Sequence, residues 1–179
     1  MKSKVLLIAY IALTLSVGAR AQKSNEDYFE ELNTAGYPVT QPLSFAVTKR
    51  KYALTGLYKS IDDKNALIHT AEINANKDGA DIFFRVNRPC VPTGNVSRLQ
   101  ERVIIVSGQK VETYYTCGYG SSESQTNEVY VIKSTSGKEF ARKVFSEMKY
   151  VFVYLNGLPV PFHTEGFSEA MAESSGKAL

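Results

Sequence analysis

The sequence predicts a mainly β fold, a single-domain antiparallel β-sandwich with one or two short packed helices. Three observations lead there. Short runs of β-branched and aromatic residues recur along the chain, separated by turn residues. Two cysteines, Cys90 and Cys117, close such runs. And Asn156-Gly157 stands between two apolar runs, the spacing of a two-residue hairpin, because both residues tolerate positive φ.

The chain opens with a segment that reads as a cleaved leader. Lys2 and Lys4 precede the apolar stretch from Val5 to Val17, and Ala19-Arg20-Ala21 is a small-x-small site. Cleavage after Ala21 predicts residues 1–21 as signal peptide and 22–179 as one β-rich exported domain, periplasmic or secreted. The leader holds three basic side chains and no acidic one, which leaves 18 of the 21 basic side chains against 18 acidic ones. That balance argues against a nucleic-acid partner, which needs a basic surplus gathered on one face. In an exported chain two cysteines pair, so Cys90 and Cys117 are read as a disulfide.

Element by element, Ser24-Asn25-Glu26-Asp27 reads as a helix start, with Tyr28, Phe29 and Leu32 on one face and Gly36-Tyr37-Pro38 as the stop. Leu43–Val47 alternates as a strand, and Tyr52–Tyr58 follows with Gly56 at a bulge. Leu67–Ile73 is a third strand, and Asn74–Gly79 a turn. Ile82–Val86, Arg102–Val106 and Val111–Thr116 are read as three adjacent strands, the last two a hairpin turning at Gly108. Gly118–Asn127 reads as a surface loop and Glu128–Ile132 as the next strand. Ser136 is the expected cap of a helix to Met148, with Phe140, Val144, Phe145 and Met148 on one face. Tyr150–Leu155 and Leu158–Phe162 then flank Asn156-Gly157, with Pro159 and Pro161 marking an edge strand, and a short helix or turn covers Thr164–Met171.

The tail, from the apolar strand through Asn156-Gly157 and Pro159-Val160-Pro161-Phe162 to Thr164-Glu165-Gly166-Phe167-Ser168-Glu169-Ala170, resembles the C-terminus of invasion-associated locus B proteins. The resemblance covers about a fifth of the chain, and this chain lacks the Trp that those proteins tend to carry before their first cysteine. It implies an exported, disulfide-bearing, non-enzymatic β-sandwich, in some members linked to host-cell contact, and it carries over no catalytic residue.

Catalytic motifs are sparse. His69 and His163 lack ligands at metal spacing, so no metal and no cofactor is expected. Gly-x-Ser-x-Gly is missing, and Gly118-Tyr119-Gly120-Ser121-Ser122 lacks the lysine and the following helix of a phosphate cradle. The expected function is therefore a non-catalytic protein-binding module, either a host-contact (virulence-associated) factor or a periplasmic immunity or inhibitor protein. The alternative is a small periplasmic hydrolase built on carboxylates or His163. Tyrosine combines large contact area with a polar tip. The candidate binding surface is accordingly Tyr114, Tyr115, Tyr119, Ser121 and Ser122, beside the expected cystine, and the partner is another protein.

Overall fold

The computed structural model describes residues 23–37, 42–49, 52–57, 67–76, 79–91, 99–119 and 126–176. Residues 1–21, read above as a leader, and Ser121 and Ser122 lie outside them. In chain order the elements are α1 (Asn25–Thr34), α2 (Phe45–Thr48), β1 (Tyr52–Leu57), β2 (Leu67–Asn76), β3 (Gly79–Val86), β4 (Gln100–Val106), β5 (Gln109–Tyr119), β6 (Thr126–Ile132), α3 (Thr135–Glu147), β7 (Tyr150–Leu155), β8 (Leu158–His163) and α4 (Phe167–Ser174). The mainly β, antiparallel class is as the sequence predicts. Its two layers belong to one eight-stranded sheet in the order β1-β2-β3-β6-β5-β4-β7-β8. The sheet rolls up until its end strands meet, where the Thr55 hydroxyl on β1 donates to the Pro161 carbonyl on β8.

Period-two alternation sets the interior. Ala53 and Leu57, Ala71 and Ile73, Ile82 and Phe84, Tyr130 and Ile132, Val111, Ile104 and Val106, Val151 and Val153, and Val160 and Phe162 all face inward and are buried. One end of the roll is closed by the helices. Phe145 of α3 packs tilted against Phe84, Phe162 and Phe167 at 5.3–6.4 Å, and Phe45 of α2 joins them edge-on, 5.4 Å from Phe167 and 6.4 Å from Phe145. Such aromatic packing adds about 0.5–1.5 kcal/mol per pair beyond area burial. On the outer side, α1 lies across β7, with Tyr28 stacked 4.3 Å from Phe152 and Phe29 edge-on to Tyr150 and Phe152.

Several expectations are corrected. Ile82–Val86 is not beside the β4–β5 hairpin, because β6 inserts between β3 and β5. Strand order is a long-range property that local alternation does not encode. Leu43–Val47 is no strand: Leu43 makes a single bridge to Leu54, and Ser44 then caps the one-turn α2. That turn is held by the Ala46 N–H bonded to the Glu165 carbonyl at 2.9 Å, a contact from the far end of the chain. Gly56 pairs in unbroken register with Ile68, so there is no bulge. β2 runs to Asn76 and β3 begins at Gly79, which shortens the turn expected over Asn74–Gly79. Gly118 and Tyr119 end β5, and Thr126 and Asn127 begin β6, so the expected loop is shorter too.

The cap of α3 is Ser134 rather than Ser136. Its Oγ accepts from the Gly137 N–H at 3.1 Å, and a Cβ on Gly137 would sit 2.9 Å from that Oγ and 3.1 Å from Ile132 and Val111. The helix therefore starts one glycine-width from the sheet. The β7–β8 turn is as predicted, with Asn156 at φ 53° and Gly157 at φ 82°. A second turn of the same hand, Ser107 at φ 43° and Gly108 at φ 85°, joins β4 to β5.

Candidate functional site

Cys90 and Cys117 form the expected disulfide, with a Cα–Cα distance of 5.9 Å. It links the segment after β3 to β5 across the intervening β6, and the Cys90 N–H donates to Thr126 Oγ1 of that strand at 2.9 Å. In the chain-entropy account, closing a loop of this length stabilises by about 3–4 kcal/mol.

Around this staple the predicted tyrosines divide between two faces. Tyr114 points outward. The Lys133 ammonium lies 5.7 Å from its ring centroid and also bonds Glu101 at 2.7 Å. The register continues this outer row from Glu101 through Tyr114 and Val131 to Phe83, all but Glu101 half-buried. Tyr115 points inward, next to Tyr130 at 5.3 Å between centroids, and the Arg102 guanidinium stacks 3.8 Å above its ring. Tyr119 ends β5, but its side chain, like Ser121 and Ser122, lies outside the described residues. The surface expected from five neighbouring residues is thus an outward Tyr114 and an inward Tyr115.

Sequence reasoning missed the buried carboxylate between them and the turn. Glu128 is 7% exposed, and Asn156 Nδ2 donates to its Oε2 at 2.6 Å. The Tyr130 hydroxyl donates at 3.3 Å and the Tyr115 hydroxyl at 3.5 Å. A buried carboxylate left without donors would cost several kcal/mol, so these partners are what let it stay. Burial first, then the Glu128 charge, holds both phenols above the ordinary tyrosine range. Asn156 serves twice, making the hairpin turn with its backbone and bonding Glu128 with its amide.

Beside this network β4 stands out. It pairs with β5 along its whole length, but with β7 only at Ile105–Tyr154 and Val106–Val153. Gln100 to Val103 are all exposed. Val103 is 59% exposed, Leu99 43%, and Val91, next to the cystine, 84%. Two of the five exposed large apolar side chains among the described residues, Leu99 and Val103, therefore lie on or next to this strand.

The histidines go elsewhere. His69 is buried in β2 with Nδ1 3.1 Å from the Leu67 carbonyl, and burial pushes its pKa down to about 4. His163 lies against Tyr150, with Nδ1 4.0 Å from Glu165. No group of three metal-binding side chains forms among the described residues. A groove of about 1080 Å³ runs between α3, α1 and the β4–β5 turn, lined by Tyr28, Ser107, Phe140, Lys143, Met148 and Tyr154 among others, and contains neither histidine. Among the described residues no helix is long and apolar enough to cross a membrane.

Comparison with family models, curated proteins and solved structures returned no match, so the site is read from its own geometry.

Proposed function

We propose that this chain is an exported, non-catalytic protein-binding module that meets its partner at the β4–β5 corner. One observation carries the reading. β4 pairs with β7 only at Ile105 and Val106, leaving Gln100–Val103 with exposed side chains and no backbone neighbour on that side among the described residues, beside Leu99 and the outward Tyr114. Exposed apolar side chains gathered beside an unpaired strand are a protein-contact feature. The cystine supports the exported setting, because disulfides persist in oxidising compartments. Within this class the protein is either a host-contact factor or a periplasmic immunity or inhibitor protein, and the likeness of its tail to invasion-associated locus B proteins favours the first.

The test is capture with the disulfide-intact protein as bait, against extracts of its own cells and of a host. A Tyr114→Ala/Val103→Asp variant serves as control. Both side chains face away from the core, and circular dichroism of the variant checks that it keeps the fold. A stoichiometric protein retained by the wild type and lost by the variant is the expected result, and its source separates the two roles. Equal retention by both baits moves the contact surface elsewhere.

A further inference from the structure

We propose that β4 accepts an extended, acidic segment of another protein as an added antiparallel strand, with a carboxylate of that segment set against Arg102. This rests on the binding reading above and specifies the occupant of its surface.

The backbone argument comes from the register. The β4–β5 hairpin closes at Val106–Gln109, and the two-residue turn makes that a hydrogen-bonded pair. Alternation along an antiparallel ladder then makes Ile104, Arg102 and Gln100 exchange bonds with β5. It turns the N–H and C=O groups of Ile105, Val103 and Glu101 to the other side. Ile105 uses its pair on Tyr154, but β7 ends in the Asn156–Gly157 turn before it can reach Val103 and Glu101. These two residues have no backbone partner on that side among the described residues. Alternating donors and acceptors on an exposed strand are a template for strand addition.

The other edges of the sheet are protected. β1 is bridged by Leu43, whose N–H and C=O both bond Leu54 at 2.8 and 2.9 Å. β8 carries Pro159 and Pro161, which have no N–H to offer. Among the described residues the free half of β4 has neither device.

Side-chain charge then selects the occupant. Arg102 bonds Gln100 Oε1 at 3.2 Å and stacks on Tyr115, but has no carboxylate partner among the described residues. Glu101 is neutralised by Lys133, and Glu128 is occupied by Asn156 and the two tyrosines. A second copy of this chain is a poor occupant. Two-fold pairing through the free groups sets Glu101 against Val103 and Arg102 against Arg102 of the other copy, and the neighbouring register sets Glu101 against Glu101. Like charges face each other in both, and the remaining register, Val103 against Val103, sets Glu101 against Ile105, which Tyr154 already occupies. A segment with one acidic residue between two apolar ones avoids both clashes, with the acid opposite Arg102 and the apolar residues opposite Val103 and Glu101.

The probe is a capped peptide, Thr-Val-Glu-Val-Thr, titrated into the isotope-labelled, disulfide-intact protein. One control carries Lys in place of Glu, and another is N-methylated at both valines. The expected result is amide shifts and slowed exchange centred on Glu101 and Val103, with the Glu peptide bound about tenfold more tightly than the Lys peptide. Arg102→Glu reverses that preference, and N-methylation abolishes binding. Val103→Pro abolishes it too while leaving the β4–β5 ladder intact, because the Val103 N–H points away from β5. Equal affinity for both peptides, no shift at Glu101 and Val103, or binding that survives Val103→Pro overturns the proposal. So does a concentration-dependent dimer in sedimentation that Val103→Pro dissolves. A cellular partner whose capture survives Val103→Pro but is lost with Tyr114→Ala leaves the binding module standing and strand addition refuted.

Discussion

His69 makes the fold sensitive to mild acid. It is 1% exposed, sits between Thr55 and Val86 in the register, and is held neutral because burial outweighs the backbone groups of Leu67 and Thr55 that favour its charged form. Its pKa is about 4 in the fold against 6.5 for the free side chain. Between those values the unfolded chain binds the proton and the folded chain does not, so stability falls as pH falls. Most of the effect appears before carboxylates titrate: from pH 7 to pH 5 the loss is about 2 kcal/mol, rising to about 3 kcal/mol below pH 4. In a domain of this size that lowers Tm by about 4–8 °C at pH 5. The chain has no Trp, so urea unfolding is followed by circular dichroism at pH 7, 6 and 5 for the wild type and His69→Gln. The variant begins less stable at pH 7 but loses less between pH 7 and 5. Parallel pH dependences in the two proteins refute the assignment.

Cys117→Ser should lower stability by about 2–5 kcal/mol, read as a shift in the urea midpoint, and thiol titration of the wild type should find no free cysteine. Ser134→Ala should cost about 1 kcal/mol through the lost bond to the Gly137 N–H, whereas Ser136→Ala, in the first helical turn, should stay within about 0.5 kcal/mol of wild type. Gly166→Ala should destabilise more than either serine change. Its φ is 81°, and a Cβ there would lie 2.6 Å from the Ala46 amide nitrogen, so thermal melts of the three variants rank them directly.

Where local chemistry decides a conformation, the sequence was legible. Asn156-Gly157 has the φ values its turn requires, the β4–β5 hairpin turns at Gly108, and the α3 face of Val144 and Phe145 enters the core. The misreadings share one physical origin. Leu43–Val47 alternates like a strand, yet Phe45 is drawn into a cluster with Phe145 and Phe167, and Glu165 holds the turn that puts it there. Ser134 displaced Ser136 as the cap because Gly137 allows close approach to Ile132 and Val111. At the candidate site, period-two alternation along β5 sets Tyr114 and Tyr115 on opposite faces, so they cannot share one surface. It gave no sign that Glu128 would be buried beside one of them, since its partners come from β5, β6 and a turn 28 positions away. The free half of β4 was equally hidden, because it depends on where the β7–β8 hairpin happens to end.

The narrow junction between β4 and β7 also has a mechanical meaning. Tension applied to the exposed end of β4 passes into β5, and from Cys117 through a covalent bond to the segment behind β3. The C-terminal hairpin stands on the other side of the junction, joined to β4 at two residue pairs and to the Ser107 N–H through the Phe152 carbonyl. Load on β4 therefore runs first into β5 and the cystine, while the hairpin is anchored separately, by Phe162 in the core, the Thr55–Pro161 bond and the Asn156–Glu128 bond.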